Sequence, residues 1–145
     1  MGMGIVLRLL VAAGLAVDAV IHWRFAPEMA PGPNTPSDTI PGDDLFYAQA
    51  IAAAVAGVLV LVWARRWTYA IAFLVAASAA GAVLLYYFVD VGQLGPIPNM
   101  HDPSWYSDKT ISLAGEAVAT IASVIGFFTV ARERDREYEA TGTGF

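Results

Sequence analysis

The sequence predicts an all-α integral membrane protein, four antiparallel transmembrane helices in an up-down bundle with Pro-rich outer loops, and three observations carry that expectation. Of its 145 residues, 57% are hydrophobic and only 14% are charged, with a mean hydropathy of +0.57, far from the balance of a soluble globular domain. Four runs approach the roughly 20 apolar residues needed to cross a hydrocarbon core of about 30 Å. All eight prolines fall in the two stretches that follow the first and third runs, and proline fixes φ and lacks an amide proton, so those stretches are irregular.

The spans are expected at about residues 5–26, 45–64, 68–89 and 110–131, which makes the chain a single domain with a charged cytoplasmic tail at 132–145. The first run reads as a retained span and not as a cleaved leader. It is longer than a signal core, lacks a small-x-small cleavage site and carries Asp18 and His22. The first outer loop, 27–44, contains five prolines and the second, 90–109, contains three; together they are expected to form an ordered cap. Tyr86, Tyr87, Trp105 and Tyr106 have the amphipathic rings of an aromatic belt at the headgroup level, a reading favoured over a ligand-stacking role. In the tail, Arg132 and Asp135, Arg134 and Glu137, and Arg136 and Glu139 stand at i, i+3. Such pairs favour continuing the fourth helix into water, with fraying expected after Ala140.

Basic residues set the orientation. Arg8, Arg65, Arg66, Arg132, Arg134 and Arg136 fall on one side of the spans, Arg24 and Lys109 on the other. Both termini are therefore expected in the cytoplasm of a plasma-membrane protein, with the long loops outside. The net charge of −5 leaves no basic footprint for nucleic acid. The absence of cysteine removes disulfides, thiolate metal sites and thiol nucleophiles.

Helices associate in lipid by close backbone approach, so small residues at four-residue spacing mark contact stripes: Ala48, Ala52 and Ala56; Ala77 and Gly81; Gly115, Ala119 and Ser123. The fourth span also carries Ser112, Glu116, Thr120 and Ser123, a polar stripe that must face inward. Gln49 does the same for the second span.

Depth makes these oddities meet. At 1.5 Å of rise per residue, Asp18 lies about 12 Å inside the outer end of its span, His22 and Gln49 about 6 Å, and Glu116 about 9 Å. Asp18 and His22, four apart, share one helix face. Arg24 and Lys109 sit just above, and His101 belongs to the loop over the mouth. A charged side chain in mid-bilayer costs at least about 2.5 kcal/mol, so this cluster of Asp18, His22, Gln49, Glu116, Arg24, Lys109 and His101 is expected to be paired, neutral or wet. It is either a ligand-binding site or a structural network pinning the helices. His22, His101, Asp18 and Glu116 are a donor set that suits a divalent ion, but two histidines from distant segments form no metal motif and no metal is assigned. No nucleophile motif, phosphate loop or nucleotide fingerprint appears, so no catalytic residue or cofactor is assigned and the sequence leans away from an enzyme.

With "RLLVAAGLAVDAVIHWRFAP" as first helix and "GPIPNMHDPSWYSDKTISLAGEA" as last loop and helix start, the chain resembles the uncharacterised small four-span membrane proteins of high-GC Gram-positive bacteria and is similar to the DoxX-like group. The resemblance covers the span pattern and brings no catalytic motif. It implies a link to electron transfer or redox homeostasis at the cell membrane. The function expected is that of an accessory or interaction subunit of a larger membrane complex, respiratory or redox in kind. The alternative is a small-molecule, quinone or ion-binding protein using Asp18, His22 and Glu116. Expected partners are the lipid bilayer, other membrane proteins or a second copy of the chain.

Overall fold

The structure, a computed structural model, describes residues 2–142 and is all-helical, with four helices long and apolar enough to cross a membrane and no strand among the described residues. Helix α1 spans Met3–Phe25, α2 Gly42–Val62, α3 Arg66–Phe88 and α4 Ser107–Gly142. Their outward faces carry exposed Leu10, Ile51, Val58, Leu74, Ile121 and Phe128. Water would penalise such surfaces; lipid does not.

The core is made of small side chains. Ala53, Ala56, Ala72, Ala76, Ala119 and Ala122 surround Val11, Leu15, Val60 and Tyr69. Helix α1 packs on both α2 and α4, α3 packs on α4, and α2 meets α3 over a smaller area. Gly57 lies against Ala12 and Leu15, so later residues of α2 face earlier residues of α1. The closest crossing joins α1 to α4, where a Cβ added to Gly14 would collide with the Gly115 carbonyl oxygen and one added to Gly115 would come within 3.0 Å of the Gly14 oxygen.

The contact registers differ in part from the sequence reading. The stripe through Gly115, Ala119 and Ser123 does pack inward, but Ala48 and Gly81 are exposed, and Ala52 and Ala77 are half-buried. The buried faces instead run through Ala53, Ala56, Gly57 and Val60 on α2 and Ala72, Ala76 and Ala79 on α3. Alanine on every side of a helix leaves the contact azimuth unmarked.

Helix ends follow local chemistry that hydropathy does not register. Helix α2 starts at Gly42, directly after Pro41, with Asp43 and Asp44 in the first turn where the helix dipole favours acids. At the α2–α3 link the Thr68 hydroxyl accepts the Arg65 N–H at 3.2 Å and reaches the Trp63 carbonyl at 2.6 Å. Helix α4 does not fray after Ala140 but continues through Thr141 and Gly142; residues 143–145 lie outside the described residues.

The first loop is not wholly irregular, since Ala26–Met29 form a 3-10 turn. Its end is tied to the second loop by the Ile40 N–H donating to the Pro96 carbonyl at 2.7 Å. The second loop is ordered by backbone bonds between Leu94 and Ile97 around Gly95, whose φ of +57° suits glycine. Asp90 accepts from the Gly92 N–H and from Asn99.

Candidate functional site

The small residues bring the polar ones together. Because Gly14 and Gly115 let α1 and α4 approach, Asp18, one turn beyond Gly14, and Glu116, next to Gly115, face each other in the core, both fully buried. Gln49 reaches them from α2. Its side-chain amide donates to Asp18 Oδ2 at 2.8 Å and lies 3.3 Å from the Val75 carbonyl of α3. One amide thereby links three helices.

His22 lies on the same side of α1. Its Nδ1 is 2.6 Å from Asp18 Oδ1 and 3.0 Å from the Asp18 carbonyl oxygen. With Asp18 ionised both neighbours accept, and an Nδ1–H would donate to them. Ser112 donates its hydroxyl to Glu116 Oε1 at 2.7 Å, whereas Glu116 Oε2 and the buried Ser123 hydroxyl have no hydrogen-bond partner among the described residues. One donor atom from each of Asp18, His22 and Glu116 lies within 4.8 Å of the others.

Beside this cluster a cavity of about 410 Å³ opens beneath the loops. Its floor includes His22, Phe46 and Gln49, its sides Ala79, Ala82, Val83, Tyr86 and Tyr87, and its roof Met29, Ile97, Met100 and Tyr106. The His22 ring stands 5.0 Å from the Phe46 ring. At the rim, the Lys109 ammonium is 4.9 Å from the Tyr106 ring centre and 5.7 Å from that of Tyr87. Such spacings permit a cation–π attraction.

Lys109 does not reach the buried acids from above. It donates to Asp102 Oδ2 at 2.8 Å and to the Asp102 and Ser104 carbonyls at 2.9 Å and 2.7 Å. That hydrogen bond is the main reason the Asp102 carboxyl is held below its ordinary value. Arg24 also stays apart, exposed on a shallow apolar groove with Trp23, Ala50 and Ile51. His101 serves the cap, its Nδ1 2.7 Å from the Tyr86 carbonyl. Of the seven residues singled out from sequence, four converge in the core, Lys109 lines the cavity rim, and Arg24 and His101 stand outside the cluster.

Sequence reasoning missed Phe46 and Ser78 of the cavity lining and the Val75 carbonyl, and for the tyrosines it favoured an aromatic belt over ligand stacking. Tyr86, Tyr87 and Tyr106 line the cavity, while Trp105 packs edge-on against Tyr87 and donates its indole N–H to Thr110 at 2.8 Å. Spacing alone contained no signal for these, because Phe46, Val75 and Ser78 lie on helices whose alanine-rich pattern leaves their facing unmarked, and the roof is made by loops whose path the local pattern does not reveal. No protein-family model, curated protein or solved structure matches the chain.

Proposed function

We propose that the protein is a multi-pass protein of the cell membrane that holds a small amphiphilic molecule, quinone-like in chemistry, in the cavity under its loops. The lining of that cavity carries the reading. An apolar wall of Phe46, Ala79, Ala82 and Val83 shares the lining with the rings of Tyr86, Tyr87 and Tyr106 and the His22 imidazole, while the N–H groups of Gln49 and Lys109, also at the lining, are engaged within the protein. A flat ring bearing carbonyl oxygens suits apolar walls, aromatic rings and an imidazole, and the volume falls within the about 300–1,000 Å³ of ligand pockets. A redox-linked ligand is also what the sequence's resemblance to the DoxX-like group implies.

Binding can be followed by quenching of tryptophan and tyrosine fluorescence in the detergent-purified protein as a short-chain benzoquinone is added. Ala82→Phe, which fills the cavity wall, is expected to weaken binding at least about tenfold, equivalent to about 1.4 kcal/mol, with little change in melting temperature. Unchanged affinity in that variant, or no saturable quenching of the parent, would sink the reading.

In the orientation we propose, successive helices run antiparallel, both termini are cytoplasmic and the Pro-rich loops face outward. The distribution of Arg65, Arg66, Arg132, Arg134 and Arg136 against Arg24 and Lys109 supports it, as do the pairings of Gln49 with Asp18 and Gly57 with Ala12. Protease added to intact cells should leave a carboxy-terminal tag untouched; its removal would reverse the assignment.

A second reading, an accessory subunit of a larger membrane complex, draws on a different observation. Residues 132–142 continue α4 as a helix exposed on every side, a charged arm available to a cytoplasmic partner. Stoichiometric copurification of another membrane protein in mild detergent would favour this reading over the cavity.

A further inference from the structure

We infer that Asp18, His22 and Glu116 form a binding site for a single divalent cation of the Zn²⁺, Mn²⁺ or Co²⁺ class, buried between α1 and α4. Charge is the first argument. Two fully buried carboxylates face one imidazole, and neither is ion-paired with a lysine or arginine among the described residues. Lys109 is engaged by Asp102 and Arg24 is exposed outside. Even with the imidazole protonated, two ionised carboxylates leave one uncompensated negative charge, and a low-dielectric interior penalises that heavily. A divalent ion with a neutral imidazole brings the sum to zero.

The hydrogen bonding is the second argument and is independent of the first. Each carboxylate has one oxygen held by a neutral donor, Asp18 Oδ2 by Gln49 at 2.8 Å and Glu116 Oε1 by Ser112 at 2.7 Å. Of the remaining two oxygens, Glu116 Oε2 is buried without a hydrogen-bond partner among the described residues, and Asp18 Oδ1 faces His22 Nδ1 at 2.6 Å, a contact that a shared ion would take over. Outer donors that fix one oxygen of a carboxylate and orient the other are the usual support of metal ligands. One nitrogen and two oxygens suit borderline-to-hard divalent ions. Because His22 also lines the cavity, water or a ligand atom arriving from that side can complete the coordination.

A shared proton is the competing way to neutralise the same groups, and metal analysis separates the two. The full-length protein, purified in mild detergent, stripped with chelator and then desalted after addition of Zn²⁺ or Co²⁺, should retain one equivalent, with visible Co²⁺ absorption bands and a raised melting temperature. Glu116→Gln and His22→Gln should lose retention, Ser112→Ala should weaken it about tenfold or more, and His101→Gln should keep it. If Glu116→Gln does not fold, His22→Gln carries the test, since its side chain is 12% exposed and tolerates change better. Absence of stoichiometric metal in the parent, or equal retention by a folded His22→Gln or Glu116→Gln, would overturn the site and leave a proton-sharing network. No benzoquinone is present in this assay, so its failure and that of the cavity reading are distinguishable.

Discussion

Gly14→Ala should lower the stability of the detergent-purified protein by about 1–3 kcal/mol, the usual range for overpacking a tight contact, while Gly81→Ala should be neutral or stabilising by up to about 1 kcal/mol. The added methyl at Gly14 would collide with the Gly115 carbonyl oxygen and approach the Ala119 Cβ to 2.9 Å and the Ala119 nitrogen to 3.0 Å. These are backbone and Cβ atoms of a facing helix, so no rotamer change relieves the collision and the helices must part. At Gly81 nothing lies within 4 Å. The expected effects thus have opposite signs for the same chemical change. Lipid supplies no hydrophobic drive to hold helices together, so a lost close approach is not offset elsewhere. Separation of α1 from α4 would also draw Asp18 away from Glu116, and Gly14→Ala should weaken Co²⁺ retention along with the fold. Chemical unfolding in detergent measures the first effect. Equal stabilities of the two alanine variants would show that the crossing is looser than its geometry implies.

Depth was legible in the sequence, and azimuth was not. The rise of 1.5 Å per residue is nearly invariant, so counting from the span ends is enough to bring Asp18, His22, Gln49 and Glu116 to one level. The same holds for the spans themselves, whose composition leaves few alternatives, although their ends shift by a few residues because Pro41, Asp43 and Thr68 act through caps and dipoles. Which way a helix faces must be read from contrast between its sides. On α4 the contrast exists, since Ser112, Glu116 and Ser123 stand out from apolar neighbours, and their inward direction follows. On α2 and α3 alanine occurs all around, so the stripes through Ala48 and Gly81 looked as good as those through Ala53 and Ala76. A lone glycine such as Gly14 has no periodic partner to announce it. The fates of Lys109 and His101 depend on how the second loop curls back over Tyr86, a long-range path set by backbone bonds such as the Asp102 N–H to the Tyr86 carbonyl at 3.0 Å. Nothing local encodes that path.

Asp18→Ala should be the most damaging substitution in the cluster, costing about 3–5 kcal/mol, and Asp18→Asn should cost much less. The carboxylate is fully buried, accepts from Gln49 and lies 2.6 Å from His22 Nδ1. Alanine leaves both donors facing a small void, and each buried unsatisfied donor costs about 1–3 kcal/mol. Asparagine keeps the volume and one acceptor oxygen, which can still receive the Gln49 N–H, while the His22 imidazole can present its unprotonated nitrogen to the new NH₂. Typical polar pairs between membrane helices contribute only about 0.6 kcal/mol, because the separated helices find other partners. Asp18 should exceed that figure because Gln49 also spans to the Val75 carbonyl, so its amide cannot leave without disturbing α3 as well. A double-mutant cycle with Gln49→Ala tests this coupling: removing Gln49 should cost the parent substantially and the Asp18→Ala background little, giving an interaction energy above about 1 kcal/mol. Additive losses would mean that the two side chains are neighbours without being partners. Retention of Co²⁺ adds a separate readout, for Asp18→Asn should preserve the fold yet release the ion, which a purely structural hydrogen-bond network has no reason to do.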